Sequence, residues 1–385
     1  MKNPHLLRVK IALWLLAALT MLSGTAIAAS LPGISAHFVQ AGENEILSRL
    51  ILTIPALTVA VVAPISGWII HHFGRLKPVY FALALYAFAG CSGLFAESIV
   101  SLLIGRVGLG AAAAILMTAS TTLIGDYYEG EERNRFLSMQ GTFVTLGGVF
   151  FLSGGGLLAD YSWRAPFGVY IVAIAFIPLA ALALFEPKAH DGAQDASLFG
   201  KGGYFDALPV FAVAFFTMAI FFIVPTQLPF VVMDYMGGSG KEAGFVMGIG
   251  PFFAAIGAYS YAALRRRFSI GTLYVAICCL QGVGLCVVGF ASEVWQLYAP
   301  FVLVGLGSGI AMANANAWFL ELAAPRKRAK LSGILAGSFF LGQFCSPLFV
   351  HPFLNFMPLH SVFSLFGGFL LAAGVILLCA IKTQK

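Results

Sequence analysis

Apolar runs of about twenty residues recur along the whole chain, separated by short polar stretches. A helix rising ~1.5 Å per residue needs about twenty such residues to cross the ~30 Å hydrocarbon layer of a bilayer. A soluble core needs none that long. Composition agrees, with 60% hydrophobic and 10% charged residues, where soluble domains carry about 25% charge. The expected fold class is all-α and integral to the membrane, because a helix satisfies its own backbone polar groups in lipid. Nothing is left over for a soluble domain of any size.

The formal charge of +6 does not indicate nucleic acid. The basic residues sit in short loops between apolar runs, where membrane topology places them, and form no single basic face. The expected environment is therefore the lipid bilayer. Cys91, Cys278, Cys279, Cys286, Cys345 and Cys379 lie within or at the ends of apolar runs, with neither a disulfide framework nor a metal-ligand spacing. The segment Ile11 to Ser30, preceded by Lys2, Arg8 and Lys10 and containing Ala26-Ile27-Ala28, has the composition of a signal peptide. We read it instead as an uncleaved first span, because the internal repeat requires it.

Hydropathy places spans near 10–31, 47–70, 78–96, 99–125, 136–158 and 165–185, then near 207–233, 242–264, 270–291, 295–321, 331–354 and 358–381. The polar stretch 186–206, with Glu186-Pro187-Lys188 and Gly200-Lys201-Gly202-Gly203, reads as a linker. The expected units are 1–185, a first bundle of six, and 207–385, a second. With a cytoplasmic N-terminus, eighteen Lys and Arg fall on the inner side: Lys2, Arg8, Lys10, Arg75, Lys77, Arg133, Arg135, Lys188, Lys201, Arg265, Arg266, Arg267, Arg326, Lys327, Arg328, Lys330, Lys382 and Lys385. Only Arg49, Arg164 and Lys241 fall outside, and Arg106 lies within a span. That bias supports about twelve spans with both termini inside.

The two sets of six are related by an offset of 195 residues. His72-Phe73 aligns with Arg267-Phe268, Gly110 with Gly305, Asp126 with Glu321, Arg133 with Arg328 and Arg135 with Lys330. The first spans align with a small shift, Leu31-Pro32-Gly33-Ile34 against Leu228-Pro229-Phe230-Val231. Six is even, so the halves share an orientation, as in transporters built from parallel repeats.

The stretch Gly67-Trp68-Ile69-Ile70-His71-His72-Phe73-Gly74-Arg75-Leu76-Lys77 resembles the signature between the second and third spans of the major facilitator superfamily. The resemblance extends over the whole chain through span number, duplication and linker. It implies two six-helix bundles related by pseudo-two-fold symmetry, rocking about a central site, and a gating pair of Arg75 with Asp126. Glu321 with neighbouring arginines would be the second-half counterpart. His71 stands where the family usually has Asp, so the charge relay is either incomplete or pH-sensitive through His71.

Gly105-Arg106-Val107-Gly108-Leu109-Gly110 resembles the family's Arg-x-x-x-Gly pattern in the fourth span. Arg106 lies about 10 Å inside at helical rise. The resemblance gives it a part in proton coupling or in holding an anionic group; alternatively it snorkels to the outer interface. Gly147-Gly148 and Gly154-Gly155-Gly156 match the glycines, though not the proline, of the drug-antiporter element in the fifth span. Trp163-Arg164-Ala165-Pro166-Phe167 resembles the family's outer loop before the sixth span and reads as an interfacial anchor. Pro225-Thr226-Gln227-Leu228-Pro229 interrupts the seventh span, and prolines there free backbone groups. Asn314 and Asn316, ~200° apart on a helix, lie in the tenth span and Gln343 in the eleventh. These amides are candidates for the substrate path or for bridges between helices. Thr20, Ser23 and Thr25 in the first span are weaker candidates, since hydroxyls bond back to their own helix.

No Asp or Glu falls in mid-span, which removes the usual proton carrier and the counter-charge for a strongly cationic substrate. There is no phosphate-cradling motif, hydrolytic triad or metal cluster, so neither an enzyme nor a cofactor is expected. The 36 phenylalanines favour an amphipathic or aromatic substrate. By resemblance, the expected function is proton-coupled export of a small drug-like compound or metabolite from a bacterial cytoplasm, by a monomer in the inner membrane. The rivals are an importer of a small organic anion with Arg106 as counter-ion, and a non-transporting receptor or lipid-handling protein.

Overall fold

The computed structural model describes residues 7–40, 45–187, 202–324 and 327–383. Lys2, Lys188, Lys201, Arg326, Lys385 and most of the expected linker lie outside the described residues, as do the side chains of Arg135 and Lys382. The described residues form helices and turns, with no strand among them. Contacts divide the chain into two compact units, Met1–Gln194 and Asp195–Lys385.

The first unit contains α1 (Leu7–Thr25), α2 (Leu31–Val39), α3 (Glu45–Phe73), α4 (Leu76–Cys91), α5 (Ile99–Tyr127), α6 (Gly130–Ala159) and α7 (Val172–Ala183). The second contains α8 (Tyr204–Phe221), α9 (Ile223–Phe230), α10 (Gly240–Arg265), α11 (Ile270–Val288), α12 (Tyr298–Leu322), α13 (Arg328–Val350) and α14 (Leu359–Thr383). Among the described residues, eleven helices or helix pairs are long and apolar enough to cross a membrane. The expected third span, 78–96, corresponds to α4, which is not among these eleven. It has 16 residues, ends at Cys91 and runs on as a short 3-10 turn, Ser92–Leu94.

The first span differs from its expected 10–31. α1 stops at Thr25, a 3-10 turn covers Ala28–Ser30, and α2 continues to Val39. Pro32 fits the opening turn of α2, where a missing N–H leaves nothing unpaired. The seventh span breaks likewise between α8 and α9 and closes in a π-helical turn, Val231–Tyr235. At the 197-residue shift relating the first spans, Thr25, the last residue of α1, corresponds to Phe222, the one residue between α8 and α9, so the two leading helices end within a residue of each other, while residues 26–30 correspond to 223–227 of α9.

The repeat also fixes backbone contacts. A Cβ on Gly110 would lie 2.7 Å from the Pro55 carbonyl oxygen, and one on Gly305 would lie 2.5 Å from that of Gly250. Both pairs are related by the same 195 residues. Glycine is required there because α3 meets α5, and α10 meets α12, backbone to backbone. Arg49 differs from its reading as a loop cation, being buried in α3.

Candidate functional site

Arg106 is 1% exposed. Its Nε donates to the Ile51 carbonyl at 3.0 Å, one terminal nitrogen to the Tyr170 hydroxyl at 2.9 Å, and the other to the Ser23 carbonyl. The chain's own breaks supply these acceptors. In α3 the Ile51 carbonyl would ordinarily accept the N–H of residue 55, but Pro55 has none. In α1 the Ser23 carbonyl belongs to the last turn, whose acceptors have no helical donor. The guanidinium therefore sits at a helix C-terminus, where the aligned peptide dipoles favour a cation. No carboxylate is among its hydrogen-bond partners.

Neighbouring side chains complete this cap. Tyr170 donates to the Leu22 carbonyl at 3.4 Å, and its ring lies 5.4 Å from the Arg106 guanidinium carbon. Tyr86, from α4, donates to the Leu19 carbonyl at 2.5 Å. Gly155 of α6 presses on the break, since a Cβ there would lie 2.1 Å from the Ala26 carbonyl oxygen. Thr20, Ser23 and Thr25 bond back to carbonyls of α1, at Ala17, Thr20 and Met21. Arg106 thus points into the unit and does not snorkel outward.

At the far end of α5, Arg75 Nε meets Asp126 Oδ2 at 3.0 Å. The Glu186 carboxylate accepts the backbone N–H of Arg75 at 2.6 Å and that of Leu76 at 3.1 Å, closing the N-terminus of α4. Gly74 adopts φ +81° in this turn, which favours glycine, and a Cβ would sit 2.9 Å from Glu186. A Cβ on Gly67, by contrast, would meet nothing. His71 and Lys77 are exposed, and the Arg75–Asp126 pair forms without either.

In the second unit Gln227 is fully buried in α9, and among the described residues neither its Oε1 nor its Nε2 has a partner. The 197-residue shift carries it onto Ser30, also buried with an unpartnered hydroxyl. Thr226 between the prolines bonds back to the Phe222 carbonyl at 2.6 Å. Asn314 is buried and bridges helices, accepting from Tyr261 of α10 at 3.1 Å and donating to the Ile270 carbonyl of α11 at 3.2 Å. Asn316 is exposed and bonds back to Met312 at 2.8 Å. Gln343 is buried in α13. Glu321 pairs with Arg265 at 2.8 Å, while Arg328 donates to the Ala323 and Leu320 carbonyls and closes the end of α12. No arginine matches Arg106 here; the corresponding residue is the buried Phe301.

Tyr86, Tyr170, Ser30 and the capping role of Glu186 carry no signal of their own in the sequence. Pro55 was the available signal for one acceptor of Arg106, and Pro32 for the break.

A model of the Major Facilitator Superfamily matches residues 13–286 and 210–385. The arabinose-proton symporter of Escherichia coli K12 is 28% identical over 177 residues, covering 44% of this chain and 37% of that protein. The efflux pump dotC of Dothistroma septosporum is 29% identical over 163 residues, covering 40% and 26%. The matches to these relatives thus span about a third of their length or less. Among solved structures, a bacterial homologue of the human lysosomal transporter Spinster superposes with TM-score 0.75 at 18% identity, covering 99% of this chain and 96% of that one. A POT family transporter in complex with 5-aminolevulinic acid gives 0.78 at 11%, covering 97% and 96%.

Proposed function

Because this chain belongs to the major facilitator superfamily, we propose that it is a secondary transporter working by alternating access, and that its task is proton-coupled export of a small amphipathic compound. The observation that carries the reading is the paired break. The leading helix of each half ends within a residue of the corresponding place, and five residues on from Thr25 and from Phe222 lies a buried polar side chain, Ser30 and Gln227, that has no partner among the described residues. Interrupted spans at corresponding positions of two repeats are where transporters build binding sites. A buried amide lacking both donor and acceptor partners costs free energy unless a ligand or water supplies them. These groups are neutral, which favours a substrate with hydroxyl, carbonyl or amide groups over a strongly charged one.

Arg106 is the residue on which the first break depends, and its carbonyl partners support a positioning role over that of a counter-ion. The organic-anion importer is correspondingly disfavoured. Import of a neutral hydroxylated compound has one specific support, the similarity to a sugar-proton symporter. No Asp or Glu lies in mid-span among the described residues. With α4 as the third of twelve spans, both termini are cytoplasmic in a bacterial inner membrane, and the monomer is the working unit.

The test is solute flux in proteoliposomes holding the full chain, under an imposed pH gradient, with sugars, neutral drugs, organic anions and cationic dyes. Gradient-dependent flux of a neutral compound, lost in Gln227→Leu, is expected. Flux of organic anions alone, or flux unchanged in Gln227→Leu, would overturn the assignment.

A further inference from the structure

The two halves differ sharply in charge at corresponding loops. Residues 70–77 and 126–135 of the first half carry four Lys or Arg and four Asp or Glu. Their counterparts at 195 residues' distance, 265–272 and 321–330, carry seven and one. Glu131 and Glu132 correspond to Arg326 and Lys327, and His71 and His72 to Arg266 and Arg267. Topology does not require this excess, since the first half's equivalent loops are neutral and take the same place in the repeat.

The excess meets an apolar surface at the end of α10. Phe252, Ile256, Tyr259 and Ala263 recur at helical spacing and are all exposed, and the next position on that line is Arg266. Arg266 and Arg267 are exposed, and neither side chain makes a hydrogen bond or ion pair with another described residue. Glu321, the acid in these two loops, is engaged by Arg265. An exposed apolar stripe ending in unpaired cations matches one glycerophospholipid, with acyl chain along the helix and phosphate at its end.

We propose that Arg266 and Arg267 form a binding site for the phosphodiester headgroup of an anionic glycerophospholipid, its chain lying on the exposed stripe of α10. The first half has histidines at the corresponding positions and carries no such site. Charge complementarity selects an anionic lipid over a zwitterionic one, whose headgroup carries its own ammonium.

The test is lipid retention by the purified full chain in native mass spectrometry, after exchange into mixed micelles of phosphatidylglycerol and phosphatidylcholine. Wild type should retain phosphatidylglycerol preferentially. R266Q/R267Q should bind it roughly 30-fold more weakly, at about 5-fold per cation, while R8Q/K10Q, which removes two cations from the first half, should not. Replacing chloride by glycerophosphate at constant ionic strength should leave the lipid bound, because the chain contributes to binding. Equal retention of the two lipids, the same loss in both double variants, or displacement by glycerophosphate would each overturn the proposal. Thermal unfolding of R266Q/R267Q in a neutral detergent should match wild type, which separates a lost lipid from a lost fold.

Discussion

Replacing Pro55 should change what the loss of Arg106 does to stability. The Ile51 carbonyl has no helical donor because residue 55 is proline, and Arg106 Nε supplies one at 3.0 Å. Arg106→Met therefore leaves two buried carbonyls, Ile51 and Ser23, without this donor. Each buried acceptor left unmade is destabilising by about 1–3 kcal/mol. In a Pro55→Ala background the new N–H closes the regular helical bond to Ile51, and one of those two losses disappears. Pro55→Ala alone should be neutral or stabilising, since proline inside a helix is less favourable than alanine by roughly 3 kcal/mol while Arg106 Nε must now share its acceptor. The double variant should thus be more stable than the sum of the singles by about 1–3 kcal/mol. Unfolding free energies of the four proteins, from SDS titration in mixed micelles, measure this coupling. Additivity within about 0.5 kcal/mol would refute the reading that Pro55 frees a carbonyl for Arg106.

Gln227→Leu should stabilise the second unit by about 1–2 kcal/mol, because it removes a buried amide without partners, and should abolish transport; a destabilised protein in the same titration would mean that the amide is satisfied. Gly155→Ala should lower the yield of folded protein on size-exclusion chromatography, since its Cβ would fall 2.1 Å from a backbone oxygen; a normal yield would show that α6 can move off the break.

Much of the architecture was legible because lipid imposes so plain a rule on side chains. Apolar runs, loop cations and the 195-residue repeat follow from hydropathy and charge, which sequence displays directly. The break in the first span has only Pro32 as its mark in the sequence. Residues 26–30 are as apolar or small as their surroundings, and hydropathy does not register which backbone groups lose their partners. Its counterpart in the second half was visible only because Pro225 and Pro229 flank Gln227. The depth of Arg106 could be read off its position in the run. Its partners could not, since two are backbone carbonyls of other helices, chosen by Pro55 and by the end of α1. Tyr86 and Tyr170 looked like any tyrosine in an apolar run, and their role emerged only when α4 and residue 170 were brought against α1. Arg49 lies near the end of an apolar run, where its position in the sequence resembles that of a loop residue although it is buried.

The shortness of α4 has a consequence for the membrane itself. Sixteen residues rise about 24 Å, and the following 3-10 turn adds about 6 Å, so α4 with its turn only just matches a hydrocarbon layer of ~30 Å. Its neighbour α5, with 29 residues, has length to spare and can absorb a thicker layer by tilting. Phe88 and Phe95, each 82% exposed, mark the far end of the short span. In a bilayer of longer acyl chains the lipid must thin locally around α4 or the span must sink, and either response loads the α4–α5 contact that leads to Arg106. Acyl-chain length should therefore act on this protein through α4.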